Sequence, residues 1–464
     1  MLNRSLSRSI LSLCAVFLSV GVTLAADDNF SAYRTEEVFP QLKPILEKAM
    51  AQSPQVLLRA LDINQAEAAY VMTRSSLLPR LDASYYYSTN TTAVSDVRDV
   101  KSRSDGLFYN ISVSQPLFQW GTLKAQTDSA RIGVKIAEKN FAEAYRLLAV
   151  TIRQQYGVLI LRKAGLKLAA ESLRLSQENL AVDEERLRTG RISPGDIIGP
   201  RLAVDEARIN LERSESDLLA AKRAFSRFTG QAVIDDESIP ETMPVDPHYY
   251  SIDRATPVLD LFTAAGIDDM LPLQVIQAQI KQADLNYKVA KFRLFPKISV
   301  SANISQANQT NASATAVSQV GVESRNLNVM AVWSIFDGFA TTGAKRSALS
   351  SKRSSERQLE MMRQIYSDQA RDLERQIRYS ARTVQLYDTR RALSEDAVKR
   401  TRDNLQRGLN TQKDVDAANI NFLSSDFSAL QQRLDLLNKW TEFLSLTGSD
   451  NALKILPARY LNAK

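Results

Sequence analysis

Apolar residues recur every seven positions through the first half of the chain, at Ile152, Leu159, Leu166, Leu173, Leu180 and Leu187. A companion series runs two residues further on, at Leu161, Leu168, Leu175 and Val182. Seven-residue spacing marks supercoiled helices. Two residues turn a helix by about 200°, so the two seams lie on nearly opposite flanks. The strips between them carry "ES", "SQEN" and "DEER", too polar for the interior of a bundle. Such a helix suits a wall, gripped by a neighbour on each side. The pattern predicts a helix over about 122–188, roughly 100 Å long, and a return helix over about 194–228, roughly 50 Å long. The return helix has the same two flanks, with Ile197, Val204, Leu211, Leu218 and Phe225 on one and Leu202 and Ile209 on the other. Val415, Phe422, Ala429, Leu436 and Phe443, with Ile420, Phe427 and Leu434, repeat the arrangement in the second half.

Four short segments have a different period. "RLDASYYYS", "FYNISVSQ", "KISVSANIS" and "NLNVMAVWSIF" alternate an apolar face with one that is mostly Ser and Asn, broken by Tyr86, Met330 and Val332. Period two over about ten residues is the pattern of strands with one apolar face, including those of membrane barrels. They predict strands near 80–88, 108–116, 297–305 and 326–336. Within each half the two strands are separated by a long polar stretch, which reads as a loop. Four strands cannot close a barrel, and open edges in lipid leave backbone groups unpaired. Three copies would supply twelve strands.

The two halves are one unit used twice. At an offset of 218, residues 118–230 align with 336–448 without a gap: Phe118 meets Phe336, Gly190 meets Gly408, and "TG" at 229–230 meets "TG" at 447–448. Upstream the offset is 217, where "LLPRL" meets "LFPKI" around Pro79 and Pro296. Each half therefore reads as helix, proline boundary, two strands, "LF" boundary, long helix, tip and return helix. The divisions expected are 1–25, a cleaved signal; 26–230, the first repeat, with its tip near 188–196; 231–269, a connector; 270–448, the second repeat, with its tip near 406–414; and 449–464, a tail.

Composition narrows the class. The segment "MLNRSLSRS" followed by "ILSLCAVFLSVGV" has the charged and apolar parts of an export signal, with cleavage expected after Ala25. The single cysteine, Cys14, lies inside that segment, so the mature chain is read as having no disulfide, thiolate ligand or thiol nucleophile. A net charge of +7, of which Arg4 and Arg8 supply two, is spread among many charges of both signs and does not call for nucleic acid. The one histidine, His248, sits in a proline-rich connector and reads as a surface residue. No metal-ligand spacing or phosphate loop appears. No enzyme, metal or cofactor is expected.

With "LLPRL"/"LFPKI", "PLFQWG"/"SIFDGF", the duplication and the two "G…D" tips in place, nearly the whole mature chain resembles the TolC family of outer-membrane channel proteins. The resemblance implies a mixed, mostly α fold: a trimeric outer-membrane β-barrel with four strands per subunit, continued by a long periplasmic α-helical barrel. It implies a homotrimer seated in outer-membrane lipid, reaching into the periplasm of a Gram-negative bacterium. The expected partners are a periplasmic adaptor protein and an inner-membrane RND pump or ABC exporter, in a tripartite efflux pump or a type I secretion system. The connector and the tail are expected to form a belt around the helical barrel. A periplasmic coiled-coil scaffold without a pore is the alternative, and it gives no role to the four strands.

In that family the hairpin tips form the periplasmic entrance. By resemblance, Asp196, Asp414, Asp416, Arg191, Arg407, Lys413 and Asn410 are its constriction candidates. Gly190, Gly408, Leu187 and Leu405 are the turn and adaptor-contact candidates. Pro79, Pro296, Phe118 and Phe336 mark the strand boundaries. Well-latched members have a basic residue where Asn410 stands, a tyrosine where Leu405 stands and an aspartate where Ala417 stands, which implies a differently held entrance here. A ring of carboxylates from three copies would favour cations. Asp196 and Asp414 read equally well as N-caps or first-turn acids.

Overall fold

The computed structural model describes residues 34–95, 99–244, 254–312, 316–450 and 456; the expected signal segment and His248 lie outside them. The elements run α1 (Thr35–Val38), α2 (Leu42–Gln52), α3 (Pro54–Ser75), β1 (Arg80–Ser95), β2 (Asp99–Phe118), α4 (Thr122–Arg188), α5 (Ile198–Thr229), α6 (Ala255–Leu261), α7 (Leu271–Lys291), β3 (Lys297–Ala312), β4 (Val317–Val332), α8 (Ala340–Gln406) and α9 (Gln412–Leu446). The heptad-patterned stretch is one helix, α4, of 67 residues, and its repeat partner α8 also has 67. No helix among the described residues is long and apolar enough to cross a membrane.

Each long helix is matched by two shorter ones end to end. Helices α3 and α5 both flank α4, while α7 and α9 both lie between α4 and α8. The wall therefore runs laterally as α3/α5, α4, α7/α9, α8. The joint between α3 and α5 is tight at Gly230, where φ is +67° and an added Cβ would lie 2.6 Å from the Gln52 carbonyl oxygen. Burial follows lateral position. Both flanks of the inner helix α9 are covered, through Ala429, Leu436 and Phe443 on one and Leu434 on the other. On α5, Val204, Leu218 and Phe225 are buried against the wall while Leu202 and Ile209 on the second flank are exposed. Helix α8 exposes a heptad row of its own, Ile365, Tyr379, Leu386 and Leu393. A single chain thus ends in two uncovered apolar flanks.

The largest core surrounds the middle of α4, from Phe141 to Ile160, where α1, α2, α9, Ile239, Met243 and Leu456 converge. Arg153 is buried there. It donates from Nε and Nη2 to Glu36 at 2.8 and 2.6 Å, and from Nη2 to Asp450 at 3.1 Å. This ion cluster ties α1 and the start of the C-terminal tail to one point on α4. A second core joins α6 through Ala255 to Ile377, Ala381 and Val384 of α8 and Trp440 and Phe443 of α9.

The four strands form one antiparallel sheet in the order β1-β2-β3-β4. They run further than the alternation predicted. The polar stretches expected to be loops are largely strand, with pairing from Thr89↔Asp105 out to Ser95↔Asp99. Backbone pairing is indifferent to side-chain polarity, so strands can continue past the apolar band. In the other direction β4 stops at Val332, short of the expected 336, leaving Trp333, Ile335 and Phe336 exposed. Strand β2 continues to Phe118, which pairs with Ile298, and β4 stops at Val332, which pairs with Lys297, the first residue of β3.

Register fixes the faces. Leu81, Val113, Ala302 and Leu327 form one cross-strand row, and Ala83, Ile111, Ile304 and Arg325 the next, where Arg325 pairs with Glu323. The opposite face has the row Ser84, Asn110, Ser305 and Ser324, then Asp82, Ser112, Asn303 and Asn326. Ser301, Asn303 and Ser305 are half-buried while their neighbours Ala302 and Ile304 are exposed, which makes the polar face the concave one. The polar face is interrupted by Met330 and Val332 near the helices and by Tyr86, which stacks on Phe108 with ring centroids 5.2 Å apart.

Candidate entrance at the hairpin tips

Both tips close by the same backbone device. After α4, the Gly190 N–H donates to the Leu187 carbonyl and the Arg191 N–H to that of Arg186. After α8, Gly408 donates to Leu405 and Leu409 to Asn404. These are Schellman closures, which need a left-handed residue just past the helix; Gly190 and Gly408 both have φ of 71°. Leu187 and Leu405 are half-buried on the last turns, as is Asn410, and Arg191 and Arg407 are exposed. Neither arginine has an ion pair among the described residues.

The turns ahead of the return helices share one hydrogen bond, although α9 begins directly after it and α5 only at Ile198. Thr411 caps α9 in a reciprocal box: its hydroxyl accepts from the Asp414 N–H, and the Asp414 carboxylate accepts from the Thr411 N–H at 2.7 Å. In the first repeat the Asp196 carboxylate accepts from the Ser193 N–H at 2.8 Å. Ser193 and Asp196 occupy the places of Thr411 and Asp414. Backbone N–H donation, reinforced by the Ser193 and Thr411 side chains, holds both carboxyls below the usual aspartate value. Asp414 thus sits in the first turn of α9, whereas Asp196 lies in the turn two residues ahead of α5, whose N-cap is Ile197 and whose first turn holds no acid.

Asp416 lies differently. It is buried, accepts from Gln412 Nε2 at 2.8 Å, and faces a small cleft of about 110 Å³ between α4 and α9. Across that cleft stands Asp183, also buried, which accepts from Arg186 Nη1 at 3.1 Å and lies 3.8 Å from Lys413 Nζ. The structure therefore gathers Asp416 and Lys413 with Asp183 and Arg186, two residues that the sequence did not single out. Asp183 opens the "DEER" strip. Glu184, Glu185 and Arg186 are exposed as that strip predicts, but Asp183 turns toward α9. No sequence signal marks it, because its partner lies on the other repeat. With Lys413 largely exposed and its Nζ 3.8 Å from Asp183, the pair contributes ~0–1 kcal/mol, too little to hold an entrance shut alone.

At the other end of the helices Pro79 and Pro296 immediately precede β1 and β3, Phe118 ends β2, and Phe336 lies beyond β4. Two successive left-handed residues then lead into each long helix: Trp120-Gly121 in the first repeat and Gly338-Phe339 in the second. Trp120 is held in this unfavourable backbone by Phe118, Phe292 and Phe295 around its ring and by donation from Nε1 to the Pro296 carbonyl at 2.8 Å.

A family model described as outer membrane efflux protein matches residues 45–231 and 271–449, the two repeats without the connector. The chain belongs to the outer membrane efflux protein family. Among curated relatives, the cation efflux system protein CusC of Escherichia coli K12 is 24% identical over 294 residues, 62% of this chain and 61% of CusC. The pyoverdine export outer membrane protein OpmQ of Pseudomonas aeruginosa is 26% identical over 57% of this chain and 56% of its own. The match thus spans about three fifths of the length of these relatives. The solved outer membrane channel CmeC of Campylobacter jejuni superposes with a TM-score of 0.70 at 13% identity, covering 90% of this chain and 89% of that one. This outer membrane efflux protein shares their fold: a four-stranded sheet per chain at one end of a long helical wall. As a family member it is an outer-membrane protein.

Proposed function

We propose that this outer membrane efflux protein forms a homotrimeric channel, with twelve strands in one barrel and the helical walls joined into a periplasmic tunnel. The observation that carries this reading is the open sheet. β1 and β4 have unpaired edges, the convex face is apolar and the concave face polar, which suits lipid outside and solute inside. The uncovered flanks on α5 and α8 support lateral closure of the helical part by further copies.

Solute enters, on this reading, between the six hairpin tips. Asp196, Asp414 and Asp416, with Arg191, Arg407, Lys413 and Asn410, surround the mouth, and the turns at Gly190 and Gly408 with Leu187 and Leu405 meet an adaptor protein. An inner-membrane RND pump or ABC exporter supplies the cargo. The efflux and export names of the relatives support a tripartite efflux pump over type I secretion. Purified protein reconstituted in planar bilayers is expected to give discrete single-channel conductance, with a trimer by native mass spectrometry. A monomer, or a trimer that conducts no ions, would overturn the channel. A deletion strain that secretes proteins normally but becomes sensitive to small toxic solutes would support efflux; the reverse profile would assign type I secretion.

A further inference from the structure

A cavity of about 490 Å³ lies where the sheet meets the helices, walled by the starts of α4 and α8, the end of α7 and the start of β3. That volume is within the range of small-molecule sites. Its charged lining residues are Arg293 and Lys297, and no carboxylate lines it. Gln119 and Asn286 add amide donors, and Phe292 and Ala348 an apolar floor.

Strand register places the cavity on the solute side. Lys297 begins β3 and alternates with Ser299, Ser301 and Asn303 of the concave face, opposite to Ile298, Val300 and Ala302. On that face the strands bear only two other charges, Arg80 and Asp82, which pair with each other at 3.0 Å. Lys297 has no ion pair among the described residues. Arg293 also lies in the field of Asp337, whose carboxylate is occupied by the Thr341 N–H and hydroxyl. The lumenal charge of the barrel end is therefore a positive collar, and a cationic ring favours anions in a pore.

We infer that this cavity is a transit site for amphipathic organic anions, in which Lys297 and Arg293 engage a carboxylate or phosphate while Phe292 and the alanines receive the apolar part. The lumenal setting rests on the channel reading; the binding chemistry does not. The test is calorimetric titration of detergent-solubilised full-length protein with 2-naphthoate, and with 2-naphthylmethylammonium as the cationic counterpart. One naphthoate per chain is expected, with several-fold weaker binding in Lys297→Gln and in Arg293→Gln, near-normal binding in Lys297→Arg, and no binding of the ammonium. Absence of naphthoate binding by the wild type, equal binding of the ammonium, or unchanged affinity in both glutamine variants would overturn the site. In bilayers naphthoate should block the wild type and spare Lys297→Gln. Binding without any conductance would remove the channel reading and leave the pocket.

Discussion

Asp414 and Asp196 show how one carboxylate can be occupied before any pore is considered. Asp414 accepts from the N–H of Thr411, the N-cap of α9, and Asp196 from that of Ser193 in the turn ahead of α5; each bond lowers the carboxyl pKa. The capping contribution is then complete above the ordinary aspartate value of about 3.9 and lost as pH falls through the lower folded value. Amide protection factors at 193–198 and 411–416 should fall on acidification below that range, and Asp414→Ala should show the low protection at 411–416 at all pH values. Full protection at 411–416 in that variant would count against the capping role. Glycines separate two kinds of cost. At Gly408 nothing lies within 4 Å of an added Cβ, so Gly408→Ala should lose only ~1–2 kcal/mol from left-handed backbone. Gly230→Ala adds a collision with the Gln52 carbonyl and should lower the thermal midpoint clearly more. The glycines and aspartates were legible in the sequence because the repeat aligns them, whereas Asp183 was not, since its partners sit on another helix.

Among the elements, α4 carries most of the folding consequences. Its middle gathers the largest core, and Arg153 there is enclosed with Glu36 and Asp450. Burial alone would weaken the guanidinium's hold on its proton, but the charges and hydrogen bonds of the two carboxylates override it and raise the pKa. Arg153→Met should cost ~3–5 kcal/mol, because two enclosed carboxylates lose their partner. Thermal unfolding at neutral pH, against wild type, checks the size of the loss. Helix length, tip position and strand number were readable from periodicity. Strand ends were not, because pairing continues wherever a neighbour strand offers partners, as β2 shows beside β3.

For the whole molecule the uncovered flanks decide assembly. Leu202→Glu with Ile209→Glu places two charges on the exposed flank of α5, away from the chain's own core. Native mass spectrometry should show trimer giving way to monomer, while circular dichroism retains the helical signal. Persistence of the trimer would place the subunit contact elsewhere. The same logic applies to Leu386→Glu on α8, which should weaken the trimer independently.

Heptads, alternation and the 218-residue offset are local or self-comparative signals, and by themselves they determined a duplicated wall of long helices with four strands. Turn chemistry likewise follows from a few adjacent residues, so both tips were visible. Which flank is covered, which polar residue turns inward and where the collar of Lys297 and Arg293 forms depend on helices hundreds of residues apart meeting side by side. Only the tertiary structure decides those, because burial and charge pairing are properties of the neighbour as much as of the residue.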